Sequence, residues 1–106
     1  MFVEVKYLDD LKVLVSAEGK LDIYSANDYL EEVKKNIKFA KELILDFTKI
    51  TYIASIGLRV ILELYTTMKD KNANMIIKNV CEDVMNIFKV TGFIDFLNIE
   101  NDIGEN

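Results

Sequence analysis

The 106-residue sequence contains no histidine, which removes every catalytic triad or dyad built on imidazole and most catalytic zinc sites. Its single cysteine, Cys81, has no intramolecular disulfide partner, in keeping with a reducing compartment. With no base beside it in the sequence, Cys81 is expected to be a small buried apolar residue and not a nucleophile. The four glycines, Gly19, Gly57, Gly92 and Gly104, are each isolated, so there is no glycine-rich phosphate loop. Basic residues are outnumbered 13 to 18, the net charge is −5, and no cluster of Lys and Arg offsets it; we expect no nucleic-acid partner. Apolar runs such as Leu43-Ile44-Leu45 fall far short of the roughly 20 residues that span a bilayer. The start, Met1-Phe2-Val3-Glu4-Val5-Lys6, lacks the basic and apolar regions of a signal peptide. These absences predict a cytoplasmic protein with no membrane insertion, no metal and no cofactor.

What is present is ample core material: 51% of the residues are hydrophobic, enough for one domain over residues 1–106, with a polar, frayed tail over 100–106. Residues 2–7 alternate strictly, Val3, Val5 and Tyr7 on one face and Glu4 and Lys6 on the other, which predicts a half-buried strand. Residues 12–18 alternate again, so the two segments make an antiparallel hairpin, closed by Gly19. The adjacent Asp9 and Asp10 between them read as turn formers and not as an acid/base pair.

Ser25 followed by Asp28 is a variant capping box, which predicts a helix with Ala26, Tyr29, Leu30, Val33 and Ile37 facing the sheet. On its outer side Glu31 and Lys35 make an i,i+4 pair, and Lys34, Lys35 and Lys38 complement the dipole at its end. Residues 75–78 form a further strand, residues 80–89 a helix capped by Gly92, and residues 93–99 a last turn or short strand. The predicted order is β-β-α-β-α-β-α: an α/β domain with a mixed four- to five-stranded sheet, an N-terminal antiparallel hairpin and three to four helices.

The chain is organised around the segment Tyr52-Ile53-Ala54-Ser55-Ile56-Gly57-Leu58, which joins the most apolar strand pattern, residues 43–47, to the most apolar helix pattern, residues 56–71. A strand, a loop and a helix in that order place the loop at the carboxyl end of the strand, the usual location of a site on an open α/β sheet. Ser55 falls at the expected N-cap, exposed, with its hydroxyl turned to the free backbone N–H groups of the first turn. The strand should be covered on both faces, leaving Asp46 near its carboxyl end to be satisfied by the loop Thr48-Lys49-Ile50-Thr51 as a loop organiser. Along the helix, Ile56, Val60, Ile61, Leu64 and Met68 form a stripe that Leu58, Leu62 and Tyr65 widen, while Arg59 faces solvent. We expect Leu58 in the core and Ile56 at a partner surface.

Residues 43–58, Leu-Ile-Leu-Asp-Phe-Thr-Lys-Ile-Thr-Tyr-Ile-Ala-Ser-Ile-Gly-Leu, resemble the signature of the STAS domain, the fold of bacterial anti-sigma factor antagonists. Gly19-Lys20-Leu21-Asp22 and the start of the first helix resemble that family's upstream motif, and the order of elements matches over nearly the whole chain. The resemblance implies a non-enzymatic switch. In the family, an Asp-Ser-x-Gly serine is phosphorylated by a partner that is both serine kinase and anti-sigma factor, a phosphatase reverses this, and the unphosphorylated form binds the partner. Carried over, it makes Ser55 the phosphoacceptor and Gly57 the motif glycine. Asp22, Ala54, Ser55, Ile56, Gly57, Leu58 and Arg59 become the partner-binding surface, with Asp46 and Thr48 as site-organising residues. The motif aspartate is replaced here by Ala54, which favours the alternative that the same fold is a constitutive interaction module, in a signalling scaffold or a lipid-transport complex. An enzyme using Asp22 and Asp46 as acids has least support, because both have structural explanations and no nucleophile or metal set accompanies them.

Overall fold

In the computed structural model, which describes residues 1–102, the N-terminal alternation folds as expected into a hairpin of β1 (Val3–Asp9) and β2 (Lys12–Leu21). Its turn is held by Asp9, whose Oδ1 accepts the Leu11 N–H at 2.8 Å. There follow α1 (Ala26–Lys34), β3 (Glu42–Ile53), α2 (Ser55–Asp70), β4 (Asn74–Lys78), α3 (Glu82–Thr91), a 3₁₀ turn (Phe93–Asp95) and β5 (Ile99–Glu100). The strands form one five-stranded sheet in sequence order, with β1 antiparallel to β2 and every later pairing parallel. This is the α/β architecture that the sequence predicts, with both alternatives for residues 93–99 realised together.

Each crossover steps the same way across the sheet, so the right-handed rule puts all three helices on one face. Burial follows. In register, Val5, Val15, Leu45 and Ile77 share the covered face, and the last three are fully buried. The opposite face carries a row formed by Leu14, Ile44 and Ile76, paired directly across β2, β3 and β4 and lying outside the main core cluster. The expectation that β3 is covered on both faces is therefore corrected. Ile44 is buried by its two in-register aliphatic neighbours, and an unbroken apolar run does not distinguish that from burial under a second layer.

A second correction bears on the site. Residues 48–51, expected as a loop, continue β3, and β2 passes through Gly19 instead of stopping there. Gly19 pairs with Ile50 and Leu21 with Ile53, while two register shifts give β3 extra residues relative to β2. Gly19 has φ +113°, a conformation glycine adopts without penalty, at one of these irregularities. β4 ends opposite Asp46, so beyond it β2 and β3 run on as a ribbon whose tip delivers the start of α2.

The first helix is shorter than the periodicity predicts. α1 ends at Lys34 although Ile37 beyond it is buried, and the expected Glu31 to Lys35 pair is replaced by Lys35 with Glu32 at 3.1 Å. Lys35 is already the C-cap, where i,i+4 geometry is lost. Lys34 reaches Glu63 on α2 at 2.8 Å. α3 ends at Gly92 in the left-handed region, φ +82°, as expected. Cys81 precedes α3, half-buried, its Sγ 3.6 Å from the Ile50 carbonyl oxygen. Of the tail expected to fray, Glu100 belongs to β5 and the Asp102 N–H donates to Asn79 Oδ1 at 2.7 Å; residues 103–106 lie outside the described residues.

Candidate functional site

The junction is compressed to one residue. β3 ends at Ile53, α2 begins at Ser55, and Ala54 between them is the N-cap, with φ −94° and ψ 177°. Its N–H donates to the Leu21 carbonyl at 2.9 Å, tying the ends of β2 and β3 together, and its own carbonyl accepts the Leu58 N–H at 3.0 Å, closing the first turn. Ser55 is thus the first helical residue and not the N-cap, a shift of one position from the sequence expectation. The strand runs so far that the extended capping conformation falls on Ala54.

This shift has a chemical consequence. A methyl group stands where a capping oxygen belongs, and no side chain caps α2. The N–H groups of the first turn are left for solvent or a ligand. Ser55 is exposed, and no side-chain hydrogen bond among the described residues engages its hydroxyl. The helix reaches this position because Gly57 is buried against the ribbon. A Cβ there would lie 2.7 Å from both the Leu21 carbonyl oxygen and Ile53 Cγ1, so the absence of a side chain lets the first turn seat directly on β2.

The corner after β2 forms the neighbouring wall. Asp22 Oδ1 accepts the Tyr24 N–H at 3.0 Å, and its carbonyl accepts the N–H groups of Ser25 and Ala26 at 3.1 and 2.9 Å. The Ser25 hydroxyl donates to the Lys20 carbonyl at 2.6 Å and accepts the Asp22 N–H at 3.1 Å. The capping box with Asp28 is therefore not formed: the hydroxyl is committed to the loop behind it. This bracing holds up two side chains that periodicity does not mark, Ile23 and Tyr24, which are 70% and 89% exposed. Their signal in the sequence is negative: two large apolar residues that belong to neither the alternation before them nor the helical stripe after them.

The other expected site residues divide into two groups. Arg59 is exposed, and with Ser55 and the 44% exposed Leu62 it lines one strip of α2 at i, i+4 and i+7. Ile56 and Leu58 are both half-buried against the core, so the expected division between them is not seen. Asp46 and Thr48 stand apart from Ser55. They precede the end of β3 by enough residues to lie roughly 20 Å back along the strand. Asp46 Oδ1 accepts the Thr48 N–H and hydroxyl at 3.0 and 2.6 Å, so it organises the bulged segment of β3 and not a loop at the helix start. Burial, reinforced by the Asp46 carboxylate, pushes the Tyr29 phenol above its ordinary range. Among the described residues, no helix is long and apolar enough to cross a membrane.

Residues 3–106 match the STAS domain family. The chain belongs to it. Among curated proteins, the anti-sigma-B factor antagonist of Listeria monocytogenes is 24% identical over 104 residues, 97% of this chain and 91% of that protein. Among solved structures, a putative anti-sigma factor antagonist from Thermotoga maritima superposes with a TM-score of 0.85 at 20% identity, covering 96% of this chain and 88% of that one. The anti-sigma factor antagonist SpoIIAA in its unphosphorylated form gives 0.83 at 15% identity, covering 98% and 90%. The Bacillus cell-fate determinant SpoIIAA in its phosphorylated form gives 0.76 at 14% identity, covering 98% and 94%. The element order, the parallel sheet behind an antiparallel hairpin and the strand-to-helix junction are this family's fold.

Proposed function

We propose that this STAS domain is an anti-sigma factor antagonist acting in the cytoplasm. It docks an anti-sigma factor that is also a serine kinase through the surface around Ser55, and phosphorylation of Ser55, reversed by a phosphatase, releases that partner. The observation that carries the proposal is the state of the serine: exposed, without a side-chain hydrogen bond or helix cap among the described residues, and set on the first residue of a sixteen-residue helix. A phosphate added there brings about −1.5 to −2 charges to a helix N-terminus, where the dipole stabilises it by roughly 0.3–1 kcal/mol. The fold tolerates the modification. At the docking surface the same charge meets groups chosen to face a neutral hydroxyl, and a penalty of about 3 kcal/mol is roughly 100-fold in affinity. Ile23, Tyr24 and Leu62, the exposed apolar residues beside or along this edge, supply the desolvated contact that makes such a charge costly.

The test is capture from the native cytoplasm with wild type, Ser55→Ala and Ser55→Asp as baits. Recovery of a kinase-like anti-sigma factor by the first two and not the third is expected; equal recovery by all three defeats the phosphoswitch. Ala54 supports a second reading, a constitutive interaction module, because the position beside the hydroxyl carries no charge to guide a kinase. Intact mass after incubation with the captured kinase and ATP separates them, with one added phosphate on wild type and none on Ser55→Ala expected for the switch.

A further inference from the structure

The two edges of the sheet are unequal. β5 closes one side with two residues, whereas β1 leaves seven residues along the other, paired only with β2. A free strand of that length presents a row of backbone donors and acceptors that proteins usually blunt with proline, bulges or lone charges. Here the edge carries some of the largest exposed apolar side chains of the molecule: Phe2 is 79% exposed, Tyr7 60% and Leu8 50%. Of its charges, Glu4 and Lys6 stand at equal distances on either side of Val5, and Asp9 closes the strand at the turn. Glu4 and Lys6 both lie on the open face of the sheet, in register with Ser16 and Leu14.

We propose that β1 is a self-association edge, pairing antiparallel with β1 of a second copy of this chain with Val5 opposite Val5. That register places Glu4 opposite Lys6 twice on the open face and Val3 opposite Tyr7 twice on the helix-covered face. Charge selects it. A slip of two residues in one direction opposes Glu4 with Glu4, and in the other direction Lys6 with Lys6, and like charges directly opposite are destabilising. A slip of one residue turns apolar positions of one copy toward the polar face of the other. The contact is isologous and closed, so it ends at two copies, joined into one continuous sheet with all helices on one side. Because the copies run in opposite directions, the two Ser55 junctions point to opposite ends of that sheet, and each is free to engage its own partner.

The experiment is sedimentation equilibrium on the full chain across a concentration series, with circular dichroism confirming that each variant is folded. Wild type is expected to dimerise. Glu4→Lys places Lys opposite Lys, and Lys6→Glu places Glu opposite Glu; each is expected to weaken the dimer roughly 10- to 30-fold. An equimolar mixture of the two variants, and the double variant Glu4→Lys/Lys6→Glu, are both expected to recover wild-type association, since both restore every opposite-charge pair. A wild type that stays monomeric to about 1 mM overturns the proposal. So do single variants that associate as tightly as wild type, a mixture that does not recover, or an edge that captures only a strand of a different protein.

Discussion

Ser25 and Ser55 stand at the starts of neighbouring helices, and a sequence pattern gives them the same role. The structure gives them opposite ones. Ser25 is 7% exposed and its hydroxyl is used twice, donating to Lys20 and accepting from Asp22, so that it locks the corner after β2. Ser55 is exposed, is the first residue of its helix, and has its hydroxyl unengaged among the described residues. A serine that completes a buried hydrogen-bond network contributes to stability and has nothing left to offer a partner, whereas one without a structural task can change its chemical state at little cost to the fold. The separation is sharp because the corner held by Ser25 and the helix started by Ser55 meet at one bond, from the Ala54 N–H to the Leu21 carbonyl.

The comparison breaks first at binding. Ser55→Asp is expected to lower affinity for the captured anti-sigma factor by about 100-fold, roughly 3 kcal/mol, while its urea midpoint stays at or slightly above that of wild type. Calorimetric titration and a denaturation curve on the same sample read both quantities, and a variant that unfolds returns Ser55 to a structural role. Next in size is Gly57→Ala. Its methyl group would press on the Leu21 carbonyl and Ile53, so we expect a loss of about 1–3 kcal/mol as α2 is pushed off the ribbon. An unchanged midpoint would show that the seat is loose. Ser25→Ala follows at about 1–2 kcal/mol, since it strands the Lys20 carbonyl and the Asp22 N–H. Faster hydrogen exchange at the Tyr24 amide should accompany it, because that amide is held by Asp22.

How much of this was legible in the sequence depends on which signal a residue sends. Alternation in residues 2–7 and 12–18 specified the hairpin, and the stripe Val60, Ile61, Leu64 and Met68 specified the buried face of α2, because burial on one face writes a period into the chain. The strand-to-helix pattern located the start of α2 to within one position of Ser55. What failed were features without a period. Thr48 to Thr51 looked like a loop because the register shifts break the period of two, leaving Ile50 buried between exposed Thr48, Lys49 and Thr51. That error put Asp46 at the strand's end and Ser55 at the cap. Ile23 and Tyr24 escaped notice because exposed apolar residues are recognised only against a known surface.

Ala54 offers a way to sharpen the comparison, since it lacks the oxygen that an N-cap normally supplies. Ala54→Asp should give α2 an acceptor for a free N–H of its first turn and raise stability by about 1 kcal/mol, read as a higher urea midpoint at unchanged slope. A gain of that size shows the turn was uncapped; no gain would mean that another group, the Ser55 hydroxyl being the first candidate, already satisfies it.

Ser55→Ala is therefore the smallest expected effect and the most discriminating. Were the Ser55 hydroxyl capping the helix, its removal would cost about 0.5–2 kcal/mol, the usual value of a lost cap. Because no side chain caps α2 and the hydroxyl is unbonded among the described residues, the variant is expected within about 0.5 kcal/mol of wild type, the ordinary range for a surface substitution. The same variant must keep binding the anti-sigma factor and lose the ability to take up phosphate. A near-zero stability change combined with a lost modification identifies a side chain held in place for what is done to it. If Ser55→Ala instead costs as much as Ser25→Ala, both serines are structural, and the switch must lie elsewhere on the surface that Ile23, Tyr24 and Leu62 present.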